Sequence, residues 1–253
     1  MAPIFGSDFT RSLWTDVDHI LLVYVGSAAE FALVEENHWL FYTNKLPSAP
    51  LDRLVSTLVW NRKVMEVPES EAITLAKTIR GFHDTVEDER RNEEGGDPKI
   101  SNKAFRAVGA MLIDYAILAE EYLSGHAVSD SDCEAYYQDQ RQFFEAMGIS
   151  GWEPTYEQYA RAREQEVVTE LQPNDHTQKL FDAYRKDLGG FRYHLLLLFM
   201  GHFLSEEVRA KVNIPKRTWF KPAYALYPLI HGTALAKVVH VLLLPKRVRV
   251  GLG

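Results

Sequence analysis

The sequence predicts an all-α protein that forms one domain of about eight or nine helices over residues 1–253. Apolar residues recur along most of the chain at spacings of three and four, which is the pattern of a helix with one buried face. Alternating runs of β-branched and aromatic residues, which are typical of strands, are almost absent. No repeat or long linker divides the chain, so we expect a single domain.

The first predicted helix runs from about Leu13 to Glu36. Between Ile20 and Val34 it is apolar nearly all round, which indicates that it is buried. A second helix is expected to begin near Pro50, because the fixed φ of proline suits the first turn of a helix. The apolar residues that follow this proline fall on one face of the helix.

The third predicted helix starts after Pro68 and continues to about Arg90. Glu69 and Glu71 lie in its first turn, where the helix dipole favours carboxylates. Its apolar stripe includes a histidine, His83, at a position that should face the core.

Ser101 is the expected N-cap of a helix over 101–124. A helix over 129–147 repeats this signal, with Ser131 and Glu134 placed to form a capping box and Gly148 as its stop. Further helices are predicted near 155–169, 174–187, 191–211 and 222–244.

Two apolar stretches, 193–204 and 223–244, are interpreted as buried core helices rather than membrane spans. A span needs about 20 consecutive apolar residues. The first stretch is shorter than that, and the second carries His231, Lys237 and His240. The N-terminal residues lack the basic start and cleavage site of a secretory signal, so we expect neither a leader nor a transmembrane span.

Composition argues against several classes of function. A formal net charge of −7 argues against nucleic-acid binding, because phosphate contacts need clustered lysine and arginine. Cys133 is the single cysteine, which excludes an internal disulfide and zinc sites built on paired cysteines. A lone thiol is typical of a reducing compartment, and we expect the protein to be cytoplasmic.

The nine histidines are the first candidates for chemistry, since a helical protein with few other reactive groups commonly uses a metal or a prosthetic group. Glu35 and His38 form a Glu-x-x-His pair, but a carboxylate-bridged di-iron site needs a second such pair, which the sequence lacks. His19, His126 and His176 fall at predicted helix ends or loops and are assigned no role.

Four more histidines lie on apolar helices, His194 and His202 on one and His231 and His240 on the next. Neither pair can bind one metal from a single helix, although one histidine from each helix could reach a shared centre. The alternative for all four is a core histidine whose ring nitrogens are hydrogen-bonded. The same alternative stands for His83.

Arg53, Ser56 and Thr57 are spaced i, i+3 and i+4 and therefore share one face of the predicted second helix. An arginine and two hydroxyls beside an apolar stripe could hold a carboxylate-bearing group or polarise bound oxygen. The alternative is a surface arginine and a threonine that packs between helices.

Several segments occur in an order and spacing that carry a family resemblance. Arg53-x-x-Ser56-Thr57 is followed by IRGFHDTVEDE, which contains His83, and then by AFRAVGAMLIDYAILAEEYL, LSGHAVSDSDCEAYYQDQRQFFEAMGI and a closing LLLPKRVRVGLG. Over residues 13–250 the chain resembles the catalytic-domain family of latex-clearing protein (rubber oxygenase) and the fungal MpaB-type oxygenases.

This resemblance implies a globin-like helical domain that encloses haem b, with His83 as the proximal iron ligand and Arg53 and Arg80 as further haem-binding residues. Rubber-cleaving members carry Arg-x-x-Lys-Thr, in which the lysine caps the distal side of the iron in one state. This chain keeps Arg53 and Thr57 but has Ser56 at the lysine position. Because serine is a weak donor, we predict an open or water-bound distal face, with Arg53, Ser56 and Thr57 as the catalytic residues that contact oxygen there.

Two features of the implied site bear on its chemistry. The general-base glutamate of the rubber-cleaving members has no matched position here, although Glu35 and Glu36 lie in the same region. The second ring nitrogen of His83 needs a hydrogen-bond acceptor that orients the ring and tunes the iron. A backbone carbonyl one turn earlier, Glu87 or Asp114 could serve.

The resemblance implies a haem-dependent oxygenase or peroxygenase that uses O2 or peroxide to oxidise or cleave a hydrophobic small molecule. Candidate substrates are alkenes, isoprenoid chains and polyketide-like compounds of secondary metabolism. Two alternatives stay open. The same pocket could perform a redox-neutral dehydration or isomerisation in a biosynthetic pathway, or the chain could bind haem or an apolar ligand without catalysis.

Overall fold

The computed structural model describes residues 5–38, 60, 63–94 and 100–243. Within these residues every regular element is a helix, which confirms the all-α prediction. The α-helices are α1 (Asp8–Thr15), α2 (Val17–Phe31), α3 (Glu69–Glu94), α4 (Asn102–Ser124), α5 (Asp130–Ala146), α6 (Tyr156–Thr169), α7 (Thr177–Phe203), α8 (Glu206–Lys211), α9 (Lys221–Ile230) and α10 (Ala234–Leu243). Short 3-10 helices cover Glu35–His38 and Thr218–Phe220.

The core is built around α2 and α4, which pack along each other. α2 also contacts α1, α7 and α8, and α4 also contacts α5 and α9. α3 packs against α5, while α9 and α10 pack against α7 and against each other. Elements from the beginning and the end of the described chain therefore meet at α2 and α4.

The predicted helix over about 13–36 is wrong in its bounds, because Asp16 divides it into α1 and α2. The backbone of Asp16 is extended, with φ −94° and ψ 125°. Its Oδ1 accepts hydrogen bonds from the backbone N–H groups of Asp18 at 2.7 Å and His19 at 3.3 Å. Asp16 is therefore the N-cap of α2, a role for which a short carboxylate side chain is well suited.

The burial predicted for residues 20–34 is confirmed. None of these side chains is exposed, and Ala29 and Leu33 are completely buried. Because this segment is apolar nearly all round, α2 can be covered by α4, α7 and α8 on different sides.

Two predicted N-caps have different outcomes. Ser101 caps α4 as predicted, since its side chain accepts a hydrogen bond from the first turn. At the start of α5 the cap is Ser129, whose Oγ accepts from the N–H of Asp132 at 3.1 Å. The capping box predicted for Ser131 and Glu134 is wrong, because the helix begins before Ser131, and Glu134 accepts instead from the first residue of α6.

The later helices are divided differently from the prediction. The helices predicted at 174–187 and 191–211 are joined in α7, which is broken at Gly189 by a backbone φ of 74°, and α8 follows as a separate helix. The helix predicted over 222–244 is split into α9 and α10 around Gly232, where φ is 72°. Glycine adopts positive φ without the steric penalty of other residues, so the chain turns at these positions.

The interpretation of 223–244 as a buried core helix is wrong. Only part of the surface of α9 and α10 is covered, and large apolar side chains of both helices are about half or more exposed, namely Leu226, Leu229, Leu235, Val238, Val241 and Leu242. The stretch 193–204 does contribute to the core, through Leu196, Leu198, Met200, Phe203 and Leu204. Among the described residues, no helix combines the length and the apolar character that crossing a membrane requires.

Candidate functional site

The predicted iron ligand, His83, is half-buried on α3. Its Nδ1 lies 2.8 Å from the carbonyl oxygen of Ile79, one turn earlier. Because a carbonyl oxygen only accepts, Nδ1 carries a proton and donates it, and in the neutral imidazole the lone pair is then on Nε2. In that tautomer Nε2 is the ring atom that can bind a metal.

The His83 ring is packed edge-on against Phe105 of α4, with ring centroids 5.0 Å apart and planes inclined by 70°. The guanidinium of Arg80 lies 4.7 Å from the centroid of the same phenylalanine ring. Arg80 Nε is also 2.8 Å from Oδ1 of Asp84. These contacts place the histidine and the arginine side by side where α3 meets the first turn of α4.

The predicted catalytic residues Arg53, Ser56 and Thr57 lie outside the described residues, as does the side chain of Glu87. Of the three acceptors that the sequence leaves open for His83, the structure shows the backbone carbonyl one turn earlier. The local geometry of a helix supplies this acceptor, since the side chain of residue i can reach the carbonyl of residue i−4.

Glu36, in the region of the family's general base, is engaged by Lys103. The Lys103 ammonium lies 2.6 Å from Glu36 and 2.9 Å from Glu170. Hydrogen bonds to Glu170 and Glu36 raise the pKa of Lys103 above its usual value, so it stays charged. The ion pair argues against Glu36 as a general base.

Asp114 belongs to a buried ion-pair network that joins three helices. Its carboxylate accepts from the Tyr159 hydroxyl at 2.6 Å and from Arg163 Nε at 2.7 Å. Arg163 of α6 also pairs with Glu30 of α2, which accepts from the Tyr115 hydroxyl of α4 at 3.0 Å. Burial alone would lower the pKa of Arg163, but the carboxylates raise it above its usual value, so the guanidinium remains charged.

A comparison with protein families identifies the class of domain. The model described as "ER-bound oxygenase mpaB/B'/Rubber oxygenase, catalytic domain" matches residues 10–253. The chain belongs to this family. No curated protein and no solved structure matches the chain.

The described part of this mpaB/rubber oxygenase domain contains an apolar cavity and a charged one. One, of about 70 Å³, has an apolar wall formed largely by α2 and α7, with Asp18 and Tyr227 at its edge. It is far smaller than the roughly 300–1,000 Å³ of most small-molecule sites. The other, of about 410 Å³, is lined mainly by charged side chains of α4 and α6, including Lys103, Arg106 and Glu166.

Histidines and carboxylates from both ends of the described chain meet beside the N-terminus of α2. A ring nitrogen of His19, a ring nitrogen of His231 and a carboxylate oxygen of Asp16 all lie within 4.8 Å of one another. His231 Nε2 is 2.9 Å from Asp16 Oδ2, and His19 Nε2 is 2.5 Å from Oε2 of Glu120 on α4. We call Asp16, His19 and His231 the histidine–aspartate cluster.

Asp18 adjoins this cluster and is only 3% exposed. Its Oδ1 accepts hydrogen bonds from the Tyr227 hydroxyl and from Nε2 of His240. Its Oδ2 lies 3.6 Å from Nε2 of His231. Asp18 thereby links α2 to both C-terminal helices.

Contacts within the cluster shift the pKa values of Asp16 and His19 so that both groups favour their charged forms. Burial alone would raise the pKa of Asp16, but its contacts with His19 and His231 lower the pKa well below its usual range. Burial alone would lower the pKa of His19, but its contacts with Asp16 and Glu120 raise the pKa. The site therefore favours positive charge among its carboxylates.

Sequence reasoning misses this cluster because His231 shares no local spacing with Asp16 and His19. Asp16 is expected inside a helix, and His231 is 215 residues away from it. The shared centre that His194 or His202 could form with the next helix is not seen among the described contacts, since His194 is exposed and His202 is 2.9 Å from the carbonyl of Arg217. The sequence does contain one local signal of the cluster, since Asp16 is followed one helical turn later by His19.

Proposed function

We propose that the chain is a haem-b-dependent oxygenase or peroxygenase with His83 as the axial iron ligand through Nε2. Membership of the family supports oxygenase chemistry in general. The observation that carries the proposal is the hydrogen bond from Nδ1 of His83 to the Ile79 carbonyl. A neutral imidazole oriented in this way has the protonation state and the fixed ring position that haem iron requires.

The described residues around His83 fit this role. The Ile79 carbonyl holds the proton at Nδ1, and the Phe105 ring packs against the imidazole and restricts its rotation. A bound haem would supply the activation of O2 or peroxide and the bond-breaking chemistry. The protein would orient the haem, exclude water and select the substrate.

The arginines and hydroxyls are proposed to position the cofactor and oxygen. Arg80 is proposed to bind a haem carboxylate, because its guanidinium lies over the Phe105 ring against which His83 packs. From the resemblance, Arg53 is proposed to bind a second haem carboxylate or to polarise oxygen. Ser56 and Thr57 are proposed to donate hydrogen bonds to oxygen on the distal face.

The proposed substrate is a hydrophobic small molecule of the isoprenoid or polyketide-like class, in keeping with the family resemblance. The charged walls beside Lys103 and Arg106 do not suit such a molecule. Apolar helix faces such as those of α2 and α7 do suit it, because most of the affinity for an apolar ligand comes from the surface it buries.

Replacing His83 tests the centre of the proposal. We expect wild-type protein made with a haem precursor to show a Soret band and about one haem b per chain in a pyridine haemochrome assay. His83→Ala should lose stoichiometric haem while its helical circular dichroism is largely kept, because half-buried His83 is not part of the central α2–α4 core. His194→Ala is the matched control, since this histidine is exposed and should not alter haem content. Normal haem content in His83→Ala would refute the assignment.

Replacing Ser56 tests the distal face. Ser56→Lys restores the lysine of the rubber-cleaving members, and we expect the resting absorption spectrum to move toward six-coordinate low-spin iron. Ser70→Lys, at an exposed position near the start of α3, is the control and should leave the spectrum unchanged. If Ser56→Lys also leaves it unchanged, Ser56 does not face the haem.

The dependence on oxygen separates the proposed activity from its alternatives. Turnover of an apolar substrate that stops without O2 or peroxide supports an oxygenase or peroxygenase. Turnover that continues under argon would indicate a redox-neutral haem enzyme. A bis-histidine spectrum without reaction toward oxygen would indicate a non-catalytic haem protein.

A further inference from the structure

We propose that the histidine–aspartate cluster is a binding site for a divalent transition metal of the zinc class, separate from the proposed haem site. The proposal does not rest on the proposed function, because no member of the cluster is a residue proposed to bind haem. The donors are two imidazole nitrogens and a carboxylate oxygen, which is a donor set that zinc and its neighbours prefer.

His19 gives the strongest indication of a metal. The side chain is only 6% exposed, and its Nε2 is hydrogen-bonded to Glu120 at 2.5 Å. Its Nδ1 is buried and has no hydrogen-bond partner. A histidine that donates one ring N–H to a carboxylate and directs the other nitrogen into a cluster of ligands has the arrangement of a metal-bound histidine.

A metal-free network of ion pairs explains the unpartnered Nδ1 of His19 less well than a bound metal does. If His19 were doubly protonated, its Nδ1–H would need an acceptor. The neighbouring Asp16 Oδ1 is 3.5 Å away and already accepts two backbone N–H groups of α2. A buried N–H without an acceptor is costly, whereas a lone pair directed at a cation is not.

The remaining donors lie beside His231, and with Asp18 they would make a four-coordinate site. Asp16 Oδ2 faces His231 Nε2 at 2.9 Å, and the His19 and His231 rings are inclined by 75° with centroids 6.0 Å apart. Asp18 Oδ2, 3.6 Å from His231 Nε2, is placed to be a fourth ligand, since Oδ1 is occupied by Tyr227 and His240. Two nitrogen and two oxygen ligands suit tetrahedral zinc.

The charge balance also favours a cation. Asp16, Asp18 and Glu120 bring three carboxylates to one partly buried region. Buried like charges are unfavourable unless cations neutralise them. A divalent ion would do so while both histidines remain neutral, and it would tie the start of α2 to the end of α9.

Metal analysis of the untagged full-length protein tests the proposal. The protein is dialysed first against EDTA and then against micromolar zinc, and bound zinc and iron are counted separately by mass spectrometry. We expect one zinc per chain, a higher melting temperature with zinc, and visible cobalt bands of a low-coordinate site after cobalt replaces zinc. The zinc count does not depend on haem loading. The zinc proposal and the His83 proposal can therefore each fail while the other succeeds.

Three variants locate the ion. His231→Gln should lose stoichiometric zinc and the cobalt bands, and Glu120→Gln should weaken zinc binding about 10–100-fold by removing the carboxylate that orients His19. His202→Gln is the control and should bind zinc like the wild type, because its ring contacts a backbone carbonyl. Wild-type protein without zinc, zinc binding only at millimolar concentration, or unchanged zinc in His231→Gln would overturn the proposal. The wild-type measurement decides the question even if a variant fails to fold.

Discussion

Gly26 of α2 lies directly against the Tyr115 ring of α4. A Cβ atom at this position would overlap the ring of Tyr115 on α4. The same tyrosine donates its hydroxyl hydrogen bond to Glu30 at 3.0 Å, so the ring cannot move aside without disturbing the buried ion pair. The absence of a side chain at Gly26 therefore sets how closely α2 and α4 pack.

Replacing Gly26 tests this contact. Gly26→Ala should lower the free energy of unfolding by about 1–3 kcal/mol, because the added methyl group overpacks a rigid part of the core. Gly81→Ala is the matched control, since Gly81 lies in a helix and a Cβ there would meet nothing within 4 Å. It should raise stability by about 0.5–1 kcal/mol through helix propensity. Urea unfolding followed by circular dichroism measures both, and an unchanged Gly26→Ala midpoint would contradict the overlap.

His83 and Asp16 differ in how far their contacts can be predicted from the sequence. The acceptor for His83 was among the expected candidates because it lies one helical turn away, within reach of local geometry. The partner of Asp16 could not be expected, because His231 is brought near by the packing of whole helices. Sequence patterns report contacts along one element well and contacts between distant elements poorly.

At the scale of the elements, the Arg163 network joins α2, α4 and α6. Arg163 is 5% exposed and Glu30 is 2% exposed, so neither charge can rely on water for solvation. Removing one partner leaves the other buried without compensation, which is more costly than replacing both by neutral groups. The network therefore fixes the position of α6 on the central pair.

A double-mutant experiment tests this role. Arg163→Met should destabilise the protein by about 3–5 kcal/mol, because Glu30 then stays buried without its cation. Adding Glu30→Gln to that variant should recover part of the loss. Chemical unfolding of the two single variants and the double variant gives the coupling energy. Strictly additive losses would show that the pair does not act as a unit.

The predicted helix boundaries are wrong at positions where one or a few residues interrupt an apolar run. Asp16, Ser205 and Gly232 each separate helices that hydrophobic periodicity alone would join. The Ser101 cap is predictable because this polar residue directly precedes a clear apolar stripe. Periodicity gives the face of a helix, but it does not show what covers that face, which is why the exposure of α9 and α10 was not predicted.

At the scale of the whole molecule, cofactor binding should be linked to stability. A ligand that binds only the folded state adds about 2.7 kcal/mol when its concentration is one hundred times its dissociation constant. For a domain of this size, that corresponds to a rise in melting temperature of roughly 5–10 °C. Thermal unfolding with and without added haem should show this rise in the wild type and not in His83→Ala. An equal rise in both would indicate that haem binds elsewhere.

The contacts of Asp18 with Tyr227 and His240 span more than two hundred residues of chain. During synthesis from the N-terminus, α2 leaves the ribosome long before its partners on α9 and α10 exist. Until then the Asp18 carboxylate lacks two of its hydrogen-bond partners, which makes its burial unfavourable. Contacts with such large sequence separation are expected to form late, so the nascent chain can complete this part of its core only after α9 and α10 have been made.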